Sequence, residues 1–576
     1  MQKGDLLYIN GVEIRDLNKY KVDRTGDILI KIVHGKDVVT RKIYSIPGLL
    51  TLLPPFIAIF LALVFKDVII SLFLGVFSGA IILSKFNIFT GFFRTVDTYI
   101  INAIADKDRA SIIVFSMMLG GMVGIINKSG GVKGIVRTLA KKINSAKTTQ
   151  LYSWLLGILI FFDDYTNTLL VGSTMRPLTD KWKVSREKLA FVVDSTAAPV
   201  ASLAIISTWI GFEISLIGQS FKAYGINYDP YGIFLQSIPY RIYSIFTLLF
   251  VFLTFMMKRE FGPMLKAEKR ARGGKLLRDG AIPLTDFETS ILTPKKGTPE
   301  RWYNGLIPIL TVIFFTFAGL FYSGVLKIKE GTPNFDLSKA IFNGNIIKNL
   351  GNIISAANSF DVLLWGSFLG VIIAMLLAVS QKLLSVKESI EAWFQGLKSM
   401  VTAIVILVLA WSLGVVIVKL STADYLVHTL SSSLSIKFLP TIVFIISAII
   451  SFSTGTSWGT LSIMFPLVIP LANSMLVGSS DYKHFLILTI SSILAGSVFG
   501  DHCSPISDTT IMSSMASSCD HIDHVRTQFP YAALAATATI IFGILPLSFG
   551  VPYLITIPLG ILSLILFLFF FGKKID

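Results

Sequence analysis

The sequence has few of the charged residues that cover the surface of a soluble protein. Only 15% of its 576 residues are Asp, Glu, Lys or Arg, against about 25% in an average soluble chain. Apolar residues make up 53%, and the mean hydropathy is +0.71. A soluble chain of this length would form several domains with far more surface charge. The composition therefore excludes an ordinary soluble protein and indicates one immersed in a lipid bilayer.

Several other features are scarce. The only cysteines are Cys503 and Cys519, too few for a disulfide framework. No Walker A sequence occurs, which disfavours direct use of ATP. The first ~45 residues are too polar for a cleavable signal peptide. The net charge is +16, but Lys and Arg fall in short links between apolar runs, a pattern typical of cytoplasmic loops and not of a nucleic-acid groove.

Long apolar runs, by contrast, are abundant. A spanning helix needs about 20 mostly apolar residues. The chain is predicted to be an all-α polytopic membrane protein with about 11 transmembrane helices. The candidates are 47–65, 68–84, 111–127, 188–220, 233–257, 304–325, 361–380, 399–419, 484–517, 531–549 and 552–572. Two more apolar stretches, 150–178 and 437–475, carry polar motifs in their middle (FFDDYTNT and FSTGTSWGT) and do not resemble plain spans.

The basic links decide how those two stretches enter the bilayer. The links 128–148, 176–188 and 258–301 are rich in Lys and Arg, which predicts that all three are cytoplasmic. They share one side only if 150–178 enters and returns as a re-entrant hairpin. When the spans after the cytoplasmic linker are counted in turn, 437–475 becomes a second hairpin that enters from the opposite face of the membrane. The two halves then form inverted repeats, an arrangement that indicates a transporter with its site near the midplane.

The sequence divides into four regions. Residues 1–46 alternate like strands and are predicted to form a small β-rich segment, with GDLLYING (4–11) resembling the second half of a PDZ domain. The first transporter repeat is 47–257, a basic cytoplasmic linker covers 258–303, and the second repeat with a final helix covers 304–576. Because half of the PDZ pattern is missing, a cap on the first helix is the favoured interpretation of the first segment.

Acidic residues interrupt the apolar segments. Each charge at the bilayer centre costs roughly 2.5–3.5 kcal/mol on insertion scales, so such residues are expected to be paired, hydrated or ion-coordinating. Some could instead lie in the headgroup layer, and Glu213 is as easily interfacial as functional. Hydroxyl and amide side chains accompany the acids, and oxygen groups of this kind are the ligands that sodium, a hard cation, prefers. The predicted ion- or substrate-binding residues are Asp163, Asp164, Thr166, Asn167, Asp194, Ser195, Thr456, Ser457, Asp501, Ser504 and Asp508.

Both halves also contain a predicted helix break. Asp194 is followed by Pro199, and Asp501 by Pro505, so each span should be interrupted just after an acid. Breaks free backbone carbonyls, which a membrane tolerates only where they line protein or water. Ser, Thr and Gly could alternatively serve close helix packing. Repetition of the oxygen-rich breaks in both halves favours a functional role, with the breaks facing the hairpin tips.

Two motifs resemble sites of other classes. GTSWG (455–459) fits the G-x-S-x-G elbow of serine hydrolases, but that motif requires a strand–turn–helix, which a membrane hairpin does not supply. CDHIDH (519–524) could hold a metal, yet no HExxH or paired CxxC spacing accompanies it. It is interpreted as a solvated helix end at the cytoplasmic side. An intramembrane protease with a PDZ-like sensor is therefore a distant alternative.

Four segments together resemble the NhaC-type sodium/proton antiporter family of the ion transporter superfamily. They are FFDDYTNTLLVGSTMRPLTDKW (161–182), SREKLAFVVDSTAAPVASLAIISTW (185–209), GTSWGT (455–460) and GDHCSPISDTTIMSSMAS (500–517). The likeness runs from about residue 47 to 572 and implies a two-hairpin, elevator-like secondary transporter without a cofactor. It does not explain 1–46 or the basic linker.

The leading hypothesis is Na+/H+ exchange at a shared carboxylate site by alternating access. The alternative is a sodium- or proton-coupled carrier of an organic acid or amino acid; no buried Lys or Arg is evident to mark an anion site, which favours bare cations. The expected partners are Na+, H+ and the lipid bilayer, with no nucleic acid and a possible homodimer. The expected location is the bacterial cytoplasmic (inner) membrane, with the C-terminus in the cytoplasm.

Overall fold

A computed structural model describes most of the chain. The described residues are 6–9, 12–14, 26–34, 37–65, 67–140, 143–283, 297–331, 356–422 and 435–575, with a few isolated positions between them. Most of this part is helical.

The first segment forms a four-stranded antiparallel sheet. Its strands are β1 (Leu6–Ile9), β2 (Val12–Ile14), β3 (Gly26–His34) and β4 (Asp37–Ser45), in the order β2-β1-β3-β4. The β3–β4 ladder runs in register from Gly26 opposite Ser45 to His34 opposite Asp37. The predicted β-rich segment is confirmed, although the sequence analysis missed β2. Its likeness to a PDZ domain stays a prediction.

The first half of the membrane region contains short and interrupted helices. They are α1 (Leu53–Phe65), α2 (Val68–Leu83), α3 (Ile88–Arg94), α4 (Ile101–Ile104), α5 (Lys107–Lys128), α6 (Gly131–Ala140), α7 (Ala146–Leu159), α8 (Asp164–Lys181), α9 (Arg186–Ser195), α10 (Ala198–Leu203), α11 (Ile210–Tyr224), α12 (Pro230–Ser237), α13 (Ile242–Met257) and α14 (Gly262–Arg272). The last of these lies in the predicted linker.

The second half contains longer helices. They are α15 (Tyr303–Gly331), α16 (Ser359–Ser380), α17 (Val386–Ser399), α18 (Val401–Lys419), α19 (Leu439–Thr454), α20 (Ser457–Leu476), α21 (Tyr482–Cys503), α22 (Asp508–Ala516), α23 (His521–Ala538), α24 (Leu545–Ser548) and α25 (Tyr553–Phe571). A two-residue strand, β5 (Arg259–Glu260), pairs with β6 (Lys573–Lys574) and ties the linker to the end of the chain.

Eight helices in the described part are long and apolar enough to cross a membrane. Six fall on predicted spans, and the other two are α19 and α20, the arms of the second predicted hairpin. Three further predicted spans correspond to shorter apolar helices at Gly48–Ala62, Ile69–Leu83 and Ile404–Lys419. The protein is therefore a multi-pass membrane protein, while the total of about 11 spans stays a prediction.

Two helical hairpins occupy the predicted positions. Hairpin 1 is α7 and α8, joined at 160–163, and hairpin 2 is α19 and α20, joined at Gly455 and Thr456. Gly455 ends α19 with φ +67°, and an added Cβ would lie 2.7 Å from the carbonyl of Ile506. This left-handed, crowded position suits glycine alone. Thr456 then caps α20 by accepting a hydrogen bond from the N–H of Gly459.

The helix after each hairpin is broken, as the sequence predicts. Residues 196–197 separate α9 from α10, which has Pro199 in its first turn. Residues 504–507, including Pro505, separate α21 from α22. A proline lacks the N–H that would continue the helical ladder, so both interruptions follow from the local sequence.

Re-entry of hairpin 1 is testable by cysteine labelling. Positions 145 and 183, at the two ends of the hairpin, line one cavity, so Ser145→Cys and Lys183→Cys should react with an impermeant maleimide from the same side of the membrane. Asp279→Cys, in the linker, is the reference for that side. The native Cys503 and Cys519 are buried, which keeps the background low. Labelling of 145 and 183 from opposite sides would contradict the hairpin topology.

Candidate functional site

Asp501 joins hairpin 2 to the second helix break. It ends α21 and is 2% exposed. Its Oδ2 accepts hydrogen bonds from the backbone N–H of Ser457 at 3.2 Å and from the Ser457 hydroxyl at 2.8 Å. Its Oδ1 accepts one from the Ser507 hydroxyl at 2.7 Å. These donors fix the orientation of the carboxylate, and they engage Ser457, the serine of the hydrolase-like motif, in a structural role.

Asp163 and Asp164 form the corresponding pair at the tip of hairpin 1. Both are buried. The hydroxyl of Thr208, which follows α10, donates to Asp163 Oδ1 at 3.3 Å. Asp164 is the first residue of α8, and its carboxyl group interacts electrostatically with those of Asp501 and Asp508 in the second half. The hairpin tip therefore brings its acids towards the opposite break.

Asp508 completes this group of acids. It begins α22, just after the break, and is exposed. The Tyr165 hydroxyl on hairpin 1 donates a hydrogen bond to Asp508 Oδ2. Close packing of α8 on α22 makes this contact possible: a Cβ added at Gly172 would lie 2.6 Å from the Cβ of Ala516. Hairpin 1 thus contacts the second break through Tyr165, and the carboxyl group of Asp164 lies near enough to that of Asp508 to interact with it electrostatically.

Asp194 lies in a separate, fully buried cluster at the first break. Its Oδ2 accepts a hydrogen bond from Gln528 Nε2 at 2.6 Å and contacts His524 Nε2 at 3.3 Å. His524 and Asp194 are both 0% exposed. The same Gln528 amide also donates to the backbone carbonyl of His502. The cluster therefore connects the first break to α23 and to the end of α21.

Ser195, the next residue, contacts the second half through a histidine. Its hydroxyl is 3.0 Å from His502 Nε2, and His502 Nδ1 is 2.7 Å from the Tyr243 hydroxyl. All three side chains are buried. Because His502 directly follows Asp501, this chain of hydrogen bonds links the two acidic clusters through the backbone of α21.

Two other predicted residues hold the backbone near the breaks. Asn167 Nδ2 donates to the carbonyls of Gly157 at 2.6 Å and Thr196 at 2.7 Å, which joins both arms of hairpin 1 to the first break. The Ser504 hydroxyl donates to the carbonyl of Phe452 at 2.7 Å, which joins the second break to hairpin 2. Each break thus faces a hairpin tip, as expected. The side chain of Thr166 lies outside the described residues.

Three oxygen or nitrogen atoms around Asp194 lack partners. Among the described residues, Asp194 Oδ1, Gln528 Oε1 and His524 Nδ1 are buried without a hydrogen bond, as is Asn167 Oδ1 in hairpin 1. Most buried polar atoms have partners, so unpaired ones at a functional site indicate a place for an ion, a proton or water. Oxygen atoms of this kind are suitable sodium ligands.

The interpretation of CDHIDH as a solvated helix end is wrong. His524 is fully buried against Asp194, and Asp523 is 6% exposed and bonded to Arg278 at 2.9 Å. The stretch starts α23, and the linker contacts its first turn through the N–H of Ile282, which donates to Asp520 Oδ2, although Ile522 stays exposed. In the described part of the chain, no group of three or more His, Cys, Asp and Glu side chains is arranged to hold a metal ion.

The sequence shows no buried Lys or Arg that would mark an anion site, but two basic residues are in fact buried. Arg241 and Lys188 are both 0% exposed. Arg241 forms an ion pair with Glu213 at 3.0 Å, and Lys188 forms one with Glu260 at 2.6 Å. The pairing offsets part of the cost of burying each charge. Glu213 is therefore buried inside the protein and paired.

Comparison with known proteins agrees with the character of this site. The model of the Na+/H+ antiporter family matches residues 200–546. An uncharacterised protein of Haemophilus influenzae is 33% identical over 528 residues, which cover 91% of this chain and 95% of the relative.

Two shorter matches carry functional names. A malate-2H+/Na+-lactate antiporter of Bacillus subtilis is 31% identical over 218 residues, covering 36% of this chain and 43% of that protein. An uncharacterised Na+/H+ antiporter of Haemophilus influenzae is 31% identical over 116 residues, covering 19% and 23%. The family exchanges ions as substrates and is not a family of enzymes. Since the family model covers more than half of its length, this chain is a secondary transporter that belongs to the Na+/H+ antiporter family.

Proposed function

We propose that the protein exchanges Na+ for H+ by alternating access at the acids between the two hairpins. The observation that carries this proposal is the convergence of Asp164, Asp501 and Asp508 from both halves of the chain. Hydroxyl groups of Ser457 and Ser507 surround Asp501 and provide further oxygen atoms. We place the protein in the bacterial cytoplasmic membrane with its C-terminus inside.

Exchange requires carboxylates that can bind either a proton or a sodium ion. A carboxylate in a low-dielectric site binds a proton or, when ionised, a sodium ion, but its charge is balanced by one of them at a time. Competition at a shared site therefore couples the two fluxes without further machinery. Asp164 and Asp501 are the groups we assign to this competition, with Asp508 at the exposed edge.

A coupled carrier of an organic acid is the second candidate, favoured by the named activity of the Bacillus subtilis relative. Such a substrate would need a cation to balance its carboxylate. The buried cations Arg241 and Lys188 are already paired with Glu213 and Glu260. That pairing favours bare cations as the transported species.

A flux assay distinguishes these functions. With purified protein in liposomes that hold a pH-sensitive dye, Na+ added outside should alkalinise the lumen without any organic solute, because Na+ that enters is exchanged for H+ that leaves. Proton flux that requires both Na+ and malate or lactate would support the second candidate instead. Absence of Na+-dependent flux under all of these conditions would contradict both proposals.

Competition also predicts a pH dependence. Because protons occupy the carboxylates that bind sodium, the apparent Na+ affinity should fall as pH drops, by at most about tenfold per pH unit for each competing proton. Initial flux rates over a series of Na+ concentrations at pH 6 to 9 measure it. A constant Na+ affinity over this range would show that the driving ion binds elsewhere.

A further inference from the structure

A cavity of about 430 Å³ lies at the base of hairpin 1, away from the acidic site. Its wall includes the start of α7, the loop after α8, the end of α13, the linker helix α14 and Ile575 near the C-terminus. All three basic links contribute basic residues: Lys147 from the first, Lys183 from the second, and Lys258 and Arg272 from the third. Arg272 is paired with Glu268 at 3.4 Å. The sequence predicts that these links share one side of the membrane, and the structure gathers them around one opening.

The charges of this cavity are unbalanced. Its two acids, Glu260 and Glu268, are buried and engaged: Glu260 pairs with Lys188 at 2.6 Å, and Glu268 accepts hydrogen bonds from the N–H and hydroxyl of Ser185 at 2.8 and 2.7 Å. None of the three rim lysines forms an ion pair with a described residue. The opening therefore carries a net positive charge that attracts an anion.

The first turn of α7 also favours an anion at the cavity wall. Ser145 caps this 14-residue helix, and the amides of Ala146 and Lys147 form its first turn at the cavity wall. The first N–H groups of a helix have no partners within it, and its dipole favours a negative charge there. Phosphate groups bind readily at such positions.

One unpaired side-chain atom indicates that the ligand is more than a bare phosphate. Gln150, one turn along α7, lines the cavity and is 6% exposed. Its Nε2 donates to the Ala146 carbonyl at 3.3 Å, while its Oε1 is buried without a hydrogen bond from any described residue. A buried acceptor without a donor is costly. A ligand that combines an anion with a hydroxyl group would satisfy both the lysines and Gln150.

The surroundings favour a membrane lipid over a soluble ligand. Trp182 lines the opening, and tryptophan is enriched at the headgroup level of membranes. Arg259, next to Lys258, binds the carbonyl of Phe569 at 2.7 Å at the end of α25. Phe569 and Phe570 there are 56% and 71% exposed, an apolar surface on which acyl chains can lie.

From these contacts we propose that the cavity binds the headgroup of an anionic phospholipid bearing hydroxyl groups, of the phosphatidylglycerol type. Its phosphate lies between the start of α7 and the rim lysines, and its glycerol hydroxyl donates to Gln150. Basic pockets between membrane helices are known to select anionic headgroups in this way. Such a lipid would clamp both ends of hairpin 1 to the linker, whichever solute is transported.

Lipid binding to the purified full-length protein tests the proposal. Native mass spectrometry should show retention of phosphatidylglycerol in preference to phosphatidylcholine with the same acyl chains. The double variant Lys147→Gln/Lys183→Gln should weaken retention roughly twenty- to thirtyfold, since each lysine near a headgroup contributes a severalfold factor. The double variant Lys387→Gln/Lys398→Gln, on exposed positions of α17, removes the same charge elsewhere and should bind as the wild type does.

Two further measurements distinguish a lipid headgroup from a free phosphate compound as the ligand. Gln150→Leu should weaken phosphatidylglycerol while leaving phosphatidic acid, which lacks the headgroup hydroxyl, unchanged. Soluble glycerol 3-phosphate should compete poorly with the lipid. Equal binding of phosphatidylcholine, an unchanged affinity of the Lys147/Lys183 variant, or competition by glycerol 3-phosphate as strong as by the lipid would each overturn the assignment.

Discussion

Asp501→Asn and Asp164→Asn should each abolish Na+-dependent proton flux while folded protein remains in the membrane. Asparagine keeps the size of the side chain: its oxygen can accept from the Ser457 hydroxyl, and its amide group can donate to the Ser507 hydroxyl. It carries no charge to balance sodium and does not take up a proton in the working range. Neutralising a shared carboxylate therefore removes both sides of the exchange.

The expected loss at Asp194 has a different origin. Asp194 is fully buried, and its Oδ2 accepts from Gln528 and contacts His524. Asp194→Asn keeps an oxygen that can accept from Gln528, but it removes the negative charge beside His524. We expect it to abolish flux as well. Equal abolition at Asp164, Asp194 and Asp501 would support one coupled pathway through both clusters.

A matched control separates loss of transport from loss of structure. Asp97→Asn changes the same group at a position that is 54% exposed and paired with Arg94 at 3.4 Å, and it should exchange at the wild-type rate. Each variant is compared by size-exclusion profile and by flux in liposomes of equal protein content. Wild-type flux in Asp164→Asn or Asp501→Asn would show that these acids are structural.

The sequence was informative about the site because a charge in an apolar segment is costly. Asp163, Asp194 and Asp501 stand out for that reason, and the neighbouring prolines and glycines locate the breaks. The sequence did not reveal which residues these acids contact. His524 lies 330 residues after Asp194 in a motif that looks solvated, and only the folding of α23 onto α9 brings the two together.

The sequence analysis missed the buried basic residues for a related reason. Lys188 and Arg241 each lie at the start of a helix, next to polar residues, where a sequence pattern indicates a loop or a headgroup position. Burial depends on Glu260 and Glu213, which come from other elements of the chain. Periodicity and composition predict that a helix is membrane-embedded, but not which distant acid will neutralise its basic end.

Breaking the Glu213–Arg241 pair should destabilise the protein more than any other single change considered above. Arg241 is fully buried, contacts Glu213 at 3.0 Å and donates to the carbonyl of Ser202 at the end of α10. Arg241→Met leaves the charge of Glu213 buried and unpaired, which costs roughly 3–5 kcal/mol. The loss should appear as a lower unfolding temperature in detergent and a smaller folded yield.

The double variant shows whether the loss of stability arises from the unpaired charge of Glu213. Replacing both partners, as Glu213→Met/Arg241→Met, removes the two charges together, and pairs of this kind are often neutral when replaced by apolar residues of similar volume. The double variant should therefore recover much of the stability that Arg241→Met loses. Arg94→Met, in a half-exposed pair with Asp97, is the control and should cost about 0–1 kcal/mol. If the double variant is no more stable than Arg241→Met, then the bond to Ser202 and the packing of the side chain, and not charge pairing, make Arg241 necessary for the fold.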